Sequence, residues 1–114
     1  MLGRLAVVAL AVAALAGLPR AASAMDDVGY AAIKSQNWTM AEQQLTAGLQ
    51  KDPNNVFRLL NLAWVYGQTG RKMEAAMIYQ RILDSGDNRF AELSKGEGRS
   101  VRVLAEMGLS RLND

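Results

Sequence analysis

The chain has 114 residues, with thirteen Lys or Arg, eleven Asp or Glu, and neither cysteine nor histidine. That composition excludes thiol nucleophiles, disulfide frameworks, imidazole bases and the usual zinc sites, so any catalysis would rest on Ser, Lys, Asp or Glu alone. The net charge of +2 does not point to nucleic acid, because Arg4 and Arg20 lie in the N-terminal apolar segment and without them eleven basic residues face eleven acidic ones.

Residues 1–24 read as a signal peptide. Met1 to Arg4 is a short basic start, Leu5 to Leu18 is an apolar run of fourteen residues, and Pro19 breaks it. Ala22 and Ala24 then supply the small side chains that a signal peptidase accepts, which sets cleavage before Met25. Fourteen residues fall short of the roughly 20 that cross a bilayer as a helix, so no stable membrane span is expected after cleavage. Retention of the segment as an anchor is the alternative. The expected location is the periplasm or the outside of the cell.

From Met25 to Asp114 the apolar residues fall mainly at helical spacing. Asp26 and Asp27 are placed to cap a first helix through Val28, Ala31, Ala32 and Ile33, ending near Ser35-Gln36-Asn37. Thr39-Met40-Ala41-Glu42 fits a capping box opening a second helix with Ala41, Leu45, Gly48 and Leu49 on its apolar stripe. Asp52-Pro53-Asn54-Asn55 ends that helix and caps a third, carrying Leu59, Leu62, Ala63, Val65 and Tyr66 up to Gly70. A fourth helix, about Lys72 to Asp84, presents Ala75, Ile78, Tyr79, Ile82 and Leu83 before Gly86. Phe90-Ala91-Glu92-Leu93 is expected to make a short helix and Gly96-Glu97-Gly98 a break. Ser100 then caps a last amphipathic helix from Val101 to about Leu112.

A shift of 34 residues brings the two helix pairs into register, placing Ala41 on Ala75, Leu45 on Tyr79, Leu49 on Leu83, Gly29 on Ala63, Ala32 on Tyr66 and Asn54 on Asn88. Leu62, Ala63, Tyr66, Gly70, Ala75, Tyr79 and Ile82, with the weaker first set Val28, Gly29, Trp38, Ala41, Leu45, Gly48 and Pro53, resemble the marked positions of the tetratricopeptide repeat. Ala32 departs from the pattern, standing where that family has tyrosine. The resemblance, to a small exported bacterial member of the family, implies an all-α helix-turn-helix solenoid in residues 25–114. It divides into repeats at about 25–55 and 56–88 and a capping region, 89–114, whose last helix is either a solenoid cap or the first helix of a degenerate third repeat.

In that family the first helix of each unit lines a groove for a peptide or partner helix. Carried over, the groove positions are Asp26, Tyr30, Ile33 and Lys34, then Phe57, Leu60, Trp64, Gly67 and Gln68, with Asn61 at one position of a carboxylate clamp. Asp26 and Tyr30 stand where that clamp uses lysine and asparagine, so chaperone-type binding is not expected. The sites put forward for a partner are therefore Tyr30, Phe57, Leu60, Asn61, Trp64 and Gln68. Phe57, Leu60 and Trp64 form a row at i, i+3, i+7, and two readings stay open: a groove, or core covered by a terminal helix.

Trp38 is read as packing and Met40, Met73, Met77 and Met107 as gap fillers. No nucleophile has a base beside it, no glycine-rich phosphate loop follows a strand, and no carboxylate cluster has ligand spacing, so neither enzyme activity nor a cofactor or metal is expected. The functional expectation is a periplasmic scaffold or adaptor for a protein or peptide of the cell envelope, without nucleic acid. The alternative is a homo-oligomeric structural subunit that buries the groove between copies.

Overall fold

The computed structural model describes residues 29–92 and 98–114. The leader, its cleavage site, Asp26, Asp27 and Val28 lie outside the described residues. The fold is mostly helical, with α1 at Tyr30–Lys34, α2 at Trp38–Lys51, α3 at Val56–Gln68, α4 at Lys72–Ser85 and α5 at Val101–Leu112. Between α4 and α5 lie two short strands, β1 at Phe90–Glu92 and β2 at Gly98–Ser100. Among the described residues no helix is long and apolar enough to cross a membrane.

The helix ends follow local chemistry. Asn55 Oδ1 accepts the amides of Phe57 and Arg58, both at 3.1 Å, and Ser100 Oγ accepts that of Val103 at 3.1 Å. The expected capping box at Thr39 is not what opens α2. Asn37 is the cap, its Oδ1 accepting the Met40 amide at 3.1 Å, while Thr39 is already helical and exposed. The asparagine holds the third amide of the helix, and the Glu42 carboxylate is bound by Arg71.

The turns after α1 and α3 are built alike. Gln36 and Gly70 both adopt left-handed backbone, at φ 60 and 81. The following amides close the same kind of bond, Asn37 N–H to Ala32 O at 2.9 Å and Arg71 N–H to Tyr66 O at 2.8 Å, which satisfies a carbonyl in the last helical turn. The Ser35 and Thr69 hydroxyls each donate to the carbonyl four residues back, at Ala31 and Val65. Each pair is separated by 34 positions (36 to 70, 37 to 71, 35 to 69), and α2 and α4 occupy intervals offset by the same amount.

The core has two clusters that share α3. Ala32, Ala41, Leu45, Leu62 and Val65 join α1, α2 and α3, and Val56, Leu59, Ala63, Ala75, Tyr79, Ile82, Val101 and Ala105 join α3, α4 and α5. Small residues sit where helices come close. Gly108 on α5 lies directly against the Tyr79 ring of α4, in space that a β-carbon would need.

Phe90-Ala91-Glu92 is extended rather than helical, which corrects the expectation of a short helix there. It pairs antiparallel with Gly98–Ser100, Phe90 opposite Ser100 and Ala91 opposite Arg99. A four-residue segment cannot repay helix nucleation, whereas the ribbon satisfies its backbone at once. The Val101 amide also donates to Arg89 O at 2.7 Å, tying the entrance of α5 to the exit from α4.

One surface cluster ties three helices together. Arg71 meets Glu42 of α2 through two parallel bonds of 2.8 and 3.1 Å, reaches Glu74 of α4 at 3.2 Å, and stacks its guanidinium 4.0 Å above the Tyr66 ring of α3. The bonds to Glu42, then those to Glu74, raise the Arg71 pKa and keep it charged.

Candidate protein-binding surface

At about 100° per residue, the buried positions of α3 sweep from Val65 through Leu62, Leu59 and Ala63 to Val56, roughly half the circumference. The remaining arc holds Leu60, Trp64, Phe57, Gln68 and Asn61. All five α3 residues put forward for partner binding therefore share the arc that holds none of the fully buried residues of α3. Tyr30 stands apart from them, half-buried on α1, with Lys34 Nζ 5.6 Å from its ring centre.

The face is not uniformly open. Phe57 and Leu60 are half-buried and lean against the cluster shared by α3, α4 and α5. Trp64 is also half-buried, Gln68 is exposed, and Asn61 is half-buried and engaged in an interaction of its own. Two guanidinium groups lie over the aromatic rings, Arg89 at 5.6 Å from the Phe57 centre and Arg111 at 5.6 Å from the Trp64 centre. Arg89 is neutralised by Asp87 at 2.7 Å, and those hydrogen bonds hold the Asp87 carboxyl below its ordinary pKa. Arg111 has no carboxylate within ion-pair distance among the described residues.

Where α5 meets the C-terminal end of α3, a notch of about 110 Å³ opens, lined by Trp64, Gln68, Lys72, Tyr79, Gly108 and Arg111 among others. Tyr79 is only 4 % exposed. Burial raises its pKa and the Arg111 charge opposes the rise, so the phenol keeps its proton at neutral pH. No described residue forms a hydrogen bond with that hydroxyl. A second cavity, of about 340 Å³, lies between the α2–α3 turn and the end of α4, over Val56, Leu59 and Ile82. There Arg81 Nη2 donates to Pro53 O and to Asn54 Oδ1, both at 3.0 Å.

Trp64 and Gln68 were expected at a binding surface, whereas Lys72, Tyr79, Gly108 and Arg111 were not. They come from helices far apart in sequence, and only Gly108 gave a signal: a glycine on the otherwise apolar stripe of α5 marks a place where something large crosses. No family model, curated protein or solved structure matches the chain.

Proposed function

We propose that this chain is an exported protein–protein interaction module of the tetratricopeptide-repeat type, which holds a peptide or helix of an envelope protein along the free face of α3. In this reading α1–α2 and α3–α4 are two helix-turn-helix units and α5 closes the stack. The 34-position recurrence of left-handed turn residues, turn hydrogen bonds and helix intervals supports the repeat. The observation that carries the binding assignment is the Phe57, Leu60, Trp64 row on the arc of α3 that holds none of its fully buried residues; Phe57 and Leu60 lean in part on the core, and Trp64 belongs to neither core cluster.

Capture from envelope extracts tests it. The wild-type protein retains a partner, and Trp64→Ala loses it with an unchanged circular dichroism spectrum. Undiminished capture by the variant refutes the groove.

Self-association is the second reading. It is favoured by Val103 and Met107, exposed one turn apart on α5, and by Met73 and Met77, exposed in the same way on α4. Sedimentation separates the two, because a concentration-independent monomer excludes stacking between copies.

A further inference from the structure

Every charged group that lines the notch between α3 and α5 is a cation, and its other polar groups can donate: the Lys72 ammonium, the Arg111 guanidinium, the Gln68 amide and the Tyr79 phenol. No carboxylate lines it. Neither Lys72 nor Arg111 forms an ion pair among the described residues, and the Tyr79 hydroxyl, on a side chain almost wholly removed from solvent, has no hydrogen-bond acceptor there. Gly108 makes the arrangement possible, since the tyrosine ring crosses α5 at the position where a side chain is missing. At about 110 Å³ the notch has room for more than one water-sized group. Trp64, whose ring already carries Arg111 over it, is part of its lining.

We infer that this notch is a subsite for a single acidic side chain, a glutamate or aspartate of the partner segment, so that the segment held along α3 is an acidic amphipathic one. The carboxylate accepts from Arg111, Lys72 and the Tyr79 hydroxyl while the neighbouring apolar side chain of the segment packs on Trp64. Charge complementarity selects this occupant: an amide brings no charge to the two cations, and a basic side chain is repelled by both. The inference rests on the groove reading for where the rest of the segment lies. It does not use Asn61, which does not line the notch.

The test is a titration of the isotopically labelled protein with blocked glutamate, N-acetyl-glutamate N-methylamide, against blocked glutamine. The glutamate probe is expected to shift the Trp64 indole N–H and the amides of Gln68, Gly108 and Arg111 saturably at millimolar concentration, and the glutamine probe to leave them in place. Arg111→Gln and Lys72→Gln, both on exposed side chains, should each weaken the glutamate probe about fivefold or more. Tyr79→Phe should weaken it severalfold with the fold retained, since only the hydroxyl is removed. Equal shifts from both probes, or a glutamate titration unchanged in Arg111→Gln, overturn the subsite. The groove fails separately: partner capture that survives Trp64→Ala removes it, whereas capture lost in Trp64→Ala but intact in Arg111→Gln/Lys72→Gln keeps the groove and removes the acidic subsite.

Discussion

Gly108→Ala sets two terms of opposite sign against each other, and the structure decides between them. Alanine in the interior of α5 gains about 1 kcal/mol in helix propensity over glycine. The added β-carbon, however, falls on Cζ, Cε1 and Cε2 of Tyr79, a ring that is 4 % exposed and packed among Ala63, Ala75 and Ala105. Forcing a methyl group into such a contact costs about 1–3 kcal/mol, and here the obstacle is a rigid ring body rather than a flexible tip, which places the cost at the upper end. The net expectation is a loss of about 1–2 kcal/mol, or a fall in melting temperature of about 4–8 °C per kcal/mol for a domain of this size. Gly67→Ala is the internal control. Its β-carbon meets only Leu112 Cδ2, at 3.3 Å, and that methyl group can rotate away, so the propensity gain should survive. Urea denaturation followed by circular dichroism measures both. Placing Gly108→Ala in a Tyr79→Ala background should remove the penalty and leave the gain, a coupling that a double-mutant cycle reads directly. A Gly108→Ala protein as stable as the wild type would refute the close crossing of α4 and α5, and with it the geometry of the notch.

Leu45→Ala, at a position with no exposed surface, should destabilise the protein by about 2–5 kcal/mol in the same denaturation assay, the largest single effect in α2. Asn37→Ala should cost about 1 kcal/mol and Thr39→Ala less than about 0.5 kcal/mol, because Asn37 holds the Met40 amide and Thr39 holds nothing at the helix start; the reverse order restores the capping box. Arg71→Ala, Glu42→Ala and their combination should be non-additive in melting temperature, each single change releasing the same tie between α2 and α4, whereas strict additivity means the pair is ornamental. Burial raises the Tyr79 pKa, so its contribution to stability is complete below the ordinary tyrosine value of 10.0 and is lost as pH rises through the folded value. The alkaline fall in stability should therefore be shallower in Tyr79→Phe, as measured by urea midpoints from pH 8 to 11.

The helices were legible because their limits are local chemistry. Ser100 before Val101, Asn55 before Val56, and Gly70 and Gly86 after α3 and α4 each act within one turn of the boundary they set, so no distant residue was needed to find them. The start of α2 shows the limit of that reasoning. Asn37 and Thr39 are both good caps; Asn37 holds the Met40 amide, and the Glu42 carboxylate that a capping box at Thr39 needs is bound by Arg71, 29 positions away. The ribbon fails for a similar reason: Phe90-Ala91-Glu92 carries little preference of its own, and its state depends on the partner strand beyond residues 93–97. The six residues put forward for binding are groove and clamp positions implied by the repeat resemblance, which marks a face of single helices but not what faces it. Arg111, Lys72 and Tyr79 reach the end of that face from α5 and α4, and periodicity along α3 contains no trace of them.

How the free face of α3 divides its duties follows from its burial. Phe57 and Leu60 already lend much of their surface to the cluster with α4 and α5, so a partner gains only their outer edges and truncating either one also damages the fold. Truncating them therefore cannot report binding cleanly. Trp64 belongs to neither buried cluster, and next to it lie two cations and a phenol for which no described residue supplies an acceptor. Apolar contact along Phe57 and Leu60 would accept many amphipathic segments with little discrimination, whereas in the proposed subsite the donors at the notch would disfavour a segment lacking a carboxylate at the matching turn. In the proposed reading, affinity on this face is spread along the helix and selectivity is concentrated at its C-terminal end. Arg111→Gln should accordingly broaden the set of segments bound, and Trp64→Ala should weaken them all.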